Sequence, residues 1–586
     1  MAGPTNAEIA AALDELGDLY ELDGAIVHRV VAYRNGAKAA REAPRSVAEL
    51  ARAGKATELP GIGATLQEKI VALADTGTIP AAEKLRAKFP PGLVALTHLP
   101  GLGPKRARRL YDELGIDGPA ALRAAATDGR IRELKGFGAK AEATLLDALD
   151  TYEAEGPRTR VTLDRAREAA DAILAALREH PGAERVEPAG SLRRWADDVK
   201  DLDVIATAGD PAALAEAFAG LDLVESASGI GDAGARGRTH TGLDVDLRIV
   251  APGQFGNLLQ HFTGSKAHNM ALRDAAVRRG LHVSEYGIDD DGSGETLRCA
   301  TEEEVYARLG YAWIPPELRE GRGELEAARL EDGAGLPELV ELGDVRGDLH
   351  CHTTASDGRA SAEEMALAAL ERGYEYVAIT DHSATHGFGD HVTPDALRAQ
   401  IESIRALNER LDGIEVLAGS EVNVLPDGSL DYDDDLLAEL DWVIASVHTS
   451  FAMDAAAMTE RMLAAIEHPG VDAIGHPTGR KIGTRPPYAI DLERVAEAAA
   501  RTGTMLEINA NPDRRDLDDV HARAVAEAGA LLVVNSDAHG PERFAAMEYG
   551  VATARRAWLS SGQIANTRAW PEFAALRKRA RAPSPG

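Results

Sequence analysis

Cysteine is almost missing from this 586-residue sequence: Cys299 and Cys351 are the whole supply. A disulfide framework is excluded, and a reducing cytoplasm is the expected location. Long apolar runs are also lacking. None approaches the ~18 residues of a membrane-spanning helix, so no membrane association is expected. The opening stretch MAGPTNAEIAAALDEL carries acids early and no basic region, which argues against a signal peptide. Aromatics are scarce at 4%, yet 45% hydrophobic and 27% charged residues describe a globular chain and not a disordered one. The length exceeds what one core supports and predicts three or four domains.

Positive charge is in deficit. Lys and Arg number 64 against 95 Asp and Glu, a net charge of −31. The deficit is uneven: residues 1–160 hold 22 of each sign, so the whole excess falls on residues 161–586. Acids in that remainder are either solvated surface or metal ligands. Global charge alone therefore does not exclude nucleic acid as a partner.

The first 155 residues have helical periodicity and no convincing strand. One pattern recurs there: LPGIGATLQEKI at 59–70, LPGLGPKRARRL at 99–110 and LKGFGAKAEATL at 134–145. Each reads as a helix end, a two-glycine turn (Gly61/Gly63, Gly101/Gly103, Gly136/Gly138) and a new helix. The start of the new helix presents free N–H groups suited to a phosphate. These segments resemble helix-hairpin-helix motifs, which grip DNA phosphates without reading sequence. Lys105, Arg106, Arg108 and Arg109 follow the second turn and favour DNA over a mere packing corner. Lys69 follows the first turn, as a phosphate contact, a solvated lysine or an amine able to form a Schiff base with a sugar aldehyde.

Farther on, GSLRRWADDVKDLDVI (190–205) sets Asp201 and Asp203 one residue apart in an apolar context. On a strand they share a face, so they mark either a solvated edge or a cation site. TGLDVDLRIV (241–250) alternates like a second strand and aligns Asp244, Asp246 and Arg248. HFTGSKAHNMALRDAAVRRG (261–280) adds an aromatic, a glycine turn and a helix with Asn269 and Arg273. Two carboxylate strands behind Gly190-Ser191 and arginines suit two metals around a triphosphate.

With GSLRR…DLDV, VDLR, HFTGSKAHN and IPPELRE (314–320) in this order, the chain resembles the DNA polymerase X family, whose lyase-type domain AYR (32–34) and LPGIGATLQEKI resemble in turn. The resemblance implies that Asp201, Asp203 and Asp246 hold the catalytic Mg²⁺ or Mn²⁺. It implies that Ser191 and Arg194 contact the triphosphate, Phe262 and Gly264 line the sugar, and Asn269 and Arg273 watch the nascent pair. Lys69 matches the lyase nucleophile, and Gly61, Gly63, Gly101, Gly103, Lys105, Gly136 and Gly138 face DNA. Two positions depart from the family: Lys200 stands where glycine precedes the Asp pair, and His261 where tyrosine precedes the sugar-turn Phe. Both concern nucleotide handling and sugar selectivity.

After a Gly- and Glu-rich connector the pattern becomes strand, loop, helix, repeated. Strands are expected at 345–349, 376–380, 414–419, 442–447, 472–475, 504–508 and 531–535. This alternation predicts a parallel sheet closing into a barrel. Six of the seven strands end in a potential ligand, in DLHCH, AITDH, AGSEV, ASVHT, AIGHP and VNSDAH. In such barrels chemistry sits at the C-terminal strand ends, so these residues should converge. Alternation aims His350 and His352 together and Cys351 away, into packing. The motifs resemble the PHP (polymerase and histidinol phosphatase) domain. By that resemblance His350, His352, Asp357, His382, Glu421, His448, His476, Asp537 and His539 bind up to three Zn²⁺, Mn²⁺ or Fe ions. Arg480 and Lys481 are candidates to hold a phosphate, or are plain surface charge.

The expected architecture is multidomain: an all-α helix-hairpin-helix front, an α+β nucleotidyltransferase palm and a C-terminal distorted (β/α)7 PHP barrel. Expected bounds are 1–80 (lyase-like), 81–155 (helix-hairpin-helix), 156–252 (palm), 253–320 (nucleotide-selecting), 321–342 (linker), 343–570 (PHP) and 571–586 (basic tail, disordered from LRKRARAPSPG). The implied protein is a monomeric, cytoplasmic, nucleoid-associated repair polymerase. It would act on gapped or nicked DNA with dNTPs, carry a 3′–5′ exonuclease or 3′-end-processing activity, and have a lyase activity if Lys69 is its nucleophile. The rival readings are a small-molecule PHP phosphatase and a DNA-binding PHP nuclease with a weakened polymerase site.

Overall fold

A computed structural model describes residues 3–97, 99, 102–138, 141–143, 145, 146, 149, 160–385 and 391–578. The chain divides into two compact units. One comprises Met1–Val161, Arg165–Pro188 and Lys200–Pro252, and the other Thr162–Asp164, Ala189–Val199 and Gly253–Gly586.

In the first unit, every regular element described before residue 161 is helical. The helix Asn6–Leu22 starts from a reciprocal cap: Thr5 Oγ1 accepts from Glu8 N–H, and the Glu8 carboxylate accepts from Thr5 N–H. Ile9, Leu13, Leu16 and Leu19, three or four apart, are fully buried. Each such burial contributes about 2 kcal/mol. They pack with Tyr33, Ala37 and Ala40 of the next helix, and the same core continues through Ile70, Leu110 and Phe137 to Leu149. The two expected helical domains, divided at 80/81, therefore share one core.

The same unit holds a five-stranded sheet: β1 (Ala183–Pro188), β2 (Asp201–Ala208), β3 (Val224–Gly231), β4 (Gly234–Thr239) and β5 (Asp244–Ile249). The strand order is β1-β2-β5-β4-β3, with β2 and β5 parallel and the other pairs antiparallel. Leu202, Val204, Val245 and Leu247 point into the core, so the alternate residues of β2 and β5 line the opposite face.

In the second unit, the helices Phe255–Thr263 and Lys266–Val277 precede a small antiparallel sheet of β6 (Leu281–Ser284), β7 (Gly287–Asp290) and β8 (Thr296–Leu297). His268 of HFTGSKAHN is buried, with Nδ1 2.7 Å from Glu324 Oε1 and Nε2 2.9 Å from Tyr306 OH, and ties this region together.

Seven parallel strands follow in consecutive order: β9 (Gly347–Cys351), β10 (Tyr376–Ile379), β11 (Glu415–Asn423), β12 (Trp442–Ser446), β13 (Ala473–Ile474), β14 (Met505–Asn509) and β15 (Leu532–Asn535). Each coincides with an expected strand to within a few residues. The first and last strands approach through the Cys351–Ala538 bridge and the 2.8 Å His352 N–H to Ala538 O bond, which makes the sheet a nearly closed barrel. Alternation divides the strand residues between two cores. Val377, Ile379 and Cys351 face the surrounding helices. Leu349, Tyr376, Trp442 and Met505 fill the interior with Phe573, which stacks on Tyr376 at 4.7 Å. Phe573 belongs to the helix Trp570–Ala574, and beyond it Lys578 Nζ donates to Ile466 O and His468 O. The expected disorder of the basic tail thus does not include its first residues; residues 579–586 lie outside the described ones.

Candidate functional site

With apolar residues at the bottom of the barrel, the C-terminal strand ends are left to polar side chains. All nine residues matched to PHP ligands converge there. His352, Asp357, His382 and His539 form one group whose ligand atoms lie within 4.8 Å of one another; His350, His352 and Asp537 form a second, and His382, Glu421 and His448 a third. Glu421 Oε1 lies 2.9 Å from His476 Nε2 and 3.1 Å from His448 Nε2, and Oε2 lies 2.8 Å from His382 Nδ1.

Three shared groups of this kind suit a multinuclear site. His350 Nε2 and both ring nitrogens of His352 are buried without a hydrogen-bond partner, a costly arrangement unless a cation completes them. The electrostatics agree. Burial, joined by the charge of His382, pushes His352 down to about 4, so it is a neutral donor at pH 7. Against the effect of its own burial, the Glu421 and Asp357 carboxylates raise His382 to about 10. Carboxylates that pull protons onto imidazoles mark a centre short of positive charge. Asp357, His382, Glu421, His476, Asp537 and His539 open into a cavity of 370 Å³ that Lys481, Arg514 and Arg543 also line.

One residue of this site belongs to no motif. Glu507, on β14, the one barrel strand whose end carries no expected ligand, is wholly buried beneath the cluster. Its Oε1 accepts from His350 Nδ1 at 2.7 Å and its Oε2 from His476 N–H at 2.6 Å. The signal was a single acid inside the apolar run TMLEIN. Arg480 must be corrected. It is buried and gives its guanidinium to Asp197 Oδ2 at 2.8 Å, so it does not face the cavity that Lys481 lines.

In the first unit, register pairs Asp201 with Asp244 and Asp203 with Asp246 across the parallel β2 and β5. Asp201, Asp203 and Asp246 line one open cleft with Arg236 and Arg238. The strand that bears the Asp pair is central, not an edge, while its carboxylate face is open. The acids are therefore clustered without being buried. Arg248 pairs with Asp246 at 2.9 Å and Arg238 with Asp244 at 2.7 Å, which compensates like charges held side by side. Lys200 is exposed.

In the second unit, Gly190–Arg193 forms one helical turn that carries Ser191. Arg194 does not reach into solvent: Nε is 3.1 Å from Glu320 Oε1 and Nη1 2.5 Å from Thr263 O. Gly264 has φ 67°, and a Cβ there would lie 3.2 Å from Arg194 Nη1, so glycine is required at the turn after Phe262. Asn269 Nδ2 donates to His261 O at 2.7 Å, and Arg273 Nη2 lies 3.1 Å from His261 Nδ1. The histidine that departs from the family thus holds the two residues matched to base-pair inspection.

Among the two-glycine turns, the first glycine satisfies geometry: Gly61 and Gly136 have φ 96° and 90°. The second does not need to be glycine for that reason. Gly63 and Gly103 have φ −88° and −70°, and a Cβ at Gly63, Gly103 or Gly138 would meet nothing within 4 Å. Neither backbone nor packing demands glycine there, so the open space at each helix start fits close approach of a phosphate. Gly101 lies outside the described residues. Of the basic cluster, Lys105 is exposed, whereas Arg106 and Arg109 stack on Phe137 and Arg108 pairs with Asp112. Lys69 sits half-buried on the helix Ala64–Thr76 that follows Gly63.

Comparison with known proteins places names on these regions. Family profiles match at residues 4–79 (helix-hairpin-helix domain), 93–151 (SAM-like helix-hairpin-helix tandem), 258–320 (DNA polymerase beta thumb) and 348–511 (PHP domain). The DNA polymerase/3′-5′ exonuclease PolX of Bacillus subtilis (strain 168) is 39% identical over 574 residues, 98% of this chain and 99% of that protein. A probable phosphatase of Caldanaerobacter subterraneus is 34% identical over 203 residues, and one of Shewanella sp. (strain MR-4) 36% over 202; each covers 33% of this chain and 75% of the relative. Similarity along nearly the full length of both sequences decides between these relatives: the chain belongs to the PolX family of DNA polymerase/3′-5′ exonucleases.

Proposed function

We propose that this protein fills short gaps in DNA by nucleotidyl transfer and trims or cleans 3′ ends in its barrel. The observation that carries the reading is the presence of two carboxylate-bearing centres in one chain: Asp201/Asp203/Asp246 on paired strands, and nine His, Asp and Glu residues at the mouth of a barrel. Divalent ions bound at the two centres would supply, respectively, activation of a 3′-hydroxyl with neutralisation of the leaving pyrophosphate, and activation of water against a phosphodiester.

In this reading Asp201, Asp203 and Asp246 hold Mg²⁺ or Mn²⁺. Ser191 binds the triphosphate, Arg194 shapes the turn that does so, and Phe262 and Gly264 bound the sugar. Asn269 and Arg273, held by His261, inspect the base pair. The nine barrel residues bind Zn²⁺, Mn²⁺ or Fe, with mixed imidazole and carboxylate donors suited to these ions. Glu507 holds His350 in the tautomer that leaves Nε2 for a metal. Gly63, Gly103 and Gly138 admit DNA phosphates, and Lys69 serves the 5′ end, as phosphate contact or as lyase amine. The domain bounds expected from sequence stand as part of this proposal with three changes: residues 1–80 and 81–155 share one core, and the segment 189–199 and residues 253–320 pack with the barrel unit.

Phosphatase action on a small molecule is the weaker reading, because the relatives so named match only a third of the chain. The test is incubation with a 5′-labelled gapped duplex and Mg²⁺ or Mn²⁺. Extension with dNTPs and shortening without them support the proposal; neither product, together with turnover of histidinol phosphate, refutes it.

A further inference from the structure

Asp197 lies in the segment between Ser191 and the Asp201/Asp203 pair, and its partners come from the barrel. Asp197 Oδ2 accepts from Arg480 Nη1 at 2.8 Å, and Oδ1 lies 3.2 Å from Arg515 Nη1. Burial opposes ionisation of Asp197, but the two guanidinium groups outweigh it and hold its carboxyl below the ordinary range. Arg515 and one further arginine, Arg556, also grip the backbone of the same segment. Arg515 Nη1 donates to Trp195 O at 2.9 Å, and Arg556 Nη1 to Arg194 O at 2.7 Å. Trp195 also packs edge-on against Tyr549, with ring centroids 5.8 Å apart.

These contacts are built, not incidental. Arg515 is fully buried, Arg480 and Arg556 nearly so. Trp195 and Arg515 both have left-handed backbones, with φ 55° and 44°. Bulky residues rarely adopt that conformation, and they keep it only where the surroundings over-determine it. The loops that supply the clamp also supply the nuclease cavity: Lys481 adjoins Arg480, and Arg514 adjoins Arg515.

We propose that Asp197, Arg480 and Arg515 are positioning residues for nucleotidyl transfer: the nuclease barrel holds the Gly190–Arg194 turn in the form that receives the triphosphate. This rests on the reading of Ser191 as a triphosphate contact. The barrel is then part of the polymerase's nucleotide-holding apparatus as well as a second active site. Loosening the clamp weakens nucleotide binding before it affects chemistry, because Asp197 touches no reacting atom. Aspartate is required in preference to asparagine, since only the carboxylate satisfies two buried guanidinium groups.

The test is single-nucleotide gap filling by the full chain, with KM for dNTP and kcat measured separately. Asp197→Asn and Arg480→Gln should each raise KM by about tenfold or more with kcat changed only about threefold, the signature of lost binding and not of lost chemistry. The double variant should be no worse than the poorer single one, because the two residues act as one pair. Asp197→Glu, which keeps the charge, should recover much of the parent KM, and 3′ shortening by Asp197→Asn should match the parent. Should Asp197→Asn not fold, Arg480→Lys, which keeps the charge and loses the fork, reads the same KM. KM near the parent value in these variants, or effects that simply add in the double variant, overturns the proposal. Ser191→Ala separates the premise from the inference. If it leaves KM unchanged, the triphosphate reading fails and the proposal with it; if it raises KM while the clamp variants do not, the clamp alone is refuted.

Discussion

Glu507 Oε1 stands 2.7 Å from His350 Nδ1, at the base of the barrel cluster. In the proposed reading the acid orients a metal ligand without being one, and its other oxygen accepts the His476 N–H at 2.6 Å. Glutamine would place an amide group against one of these two donors. Glu507→Gln should therefore lower metal affinity by about 10- to 100-fold and slow 3′ degradation, while gap filling persists. Metal content after dialysis, measured beside both activities, checks this; parent-like metal retention would count against the assigned role.

The glycine turns lead to a second expectation. Because a Cβ at Gly103 would meet nothing within 4 Å and its φ is an ordinary −70°, Gly103→Val should leave the thermal midpoint nearly unchanged. It should weaken binding to gapped duplexes by a similar factor whatever their sequence, since backbone contacts carry no sequence information. Fluorescence anisotropy on two duplexes of different composition is the measurement. Undiminished affinity would make the turn a packing corner.

Glu302 sets a pH dependence of stability. Burial works against its ionisation, but Arg319 and Arg193 prevail and hold it at about 2. A depressed carboxylate stabilises the fold above its unfolded value near 4.5 and loses that contribution as pH falls toward 2. The contribution is on the order of 3 kcal/mol at neutral pH. Glu302→Gln should be clearly less stable than the parent at pH 7, and the gap should narrow as pH drops below 4.5. Thermal melts of both proteins across this range test it, and a gap that does not vary with pH contradicts it.

Lys69 follows an open glycine turn on its helix. Borohydride should trap a covalent adduct with an incised abasic site in the parent and much less in Lys69→Ala, with gap binding unchanged. An equal yield in the variant assigns the adduct to another amine, with Lys84 the nearest downstream candidate.

The barrel was legible because its strand ends repeat one event, an apolar run closing on His, Asp or Glu, and repetition survives errors in any single strand. Asp201, Asp203 and Asp246 were legible through alternation and spacing. Glu507 was not, since one acid in an apolar strand reads the same whether it orients a ligand or interrupts a core. The pairings of Arg480 and Arg194 were not legible for another reason. Their partners, Asp197 and Glu320, lie far away in sequence, and no local pattern tells an arginine reaching for phosphate from one committed to a buried carboxylate. The same long-range pairing explains why residues 189–199 leave the sheet unit that contiguity in sequence assigned to them.

Independence of two metal centres is the core of this account, and a single assay addresses it. On one 5′-labelled gapped duplex, Asp201→Ala with Asp203→Ala should abolish extension and leave 3′ shortening intact. His350→Ala with His352→Ala should do the reverse, with loss of bound metal and a fall in shortening of about 10²-fold or more. Reciprocal loss is the predicted result; disappearance of both activities in either double variant, with the protein still folded, would contradict it.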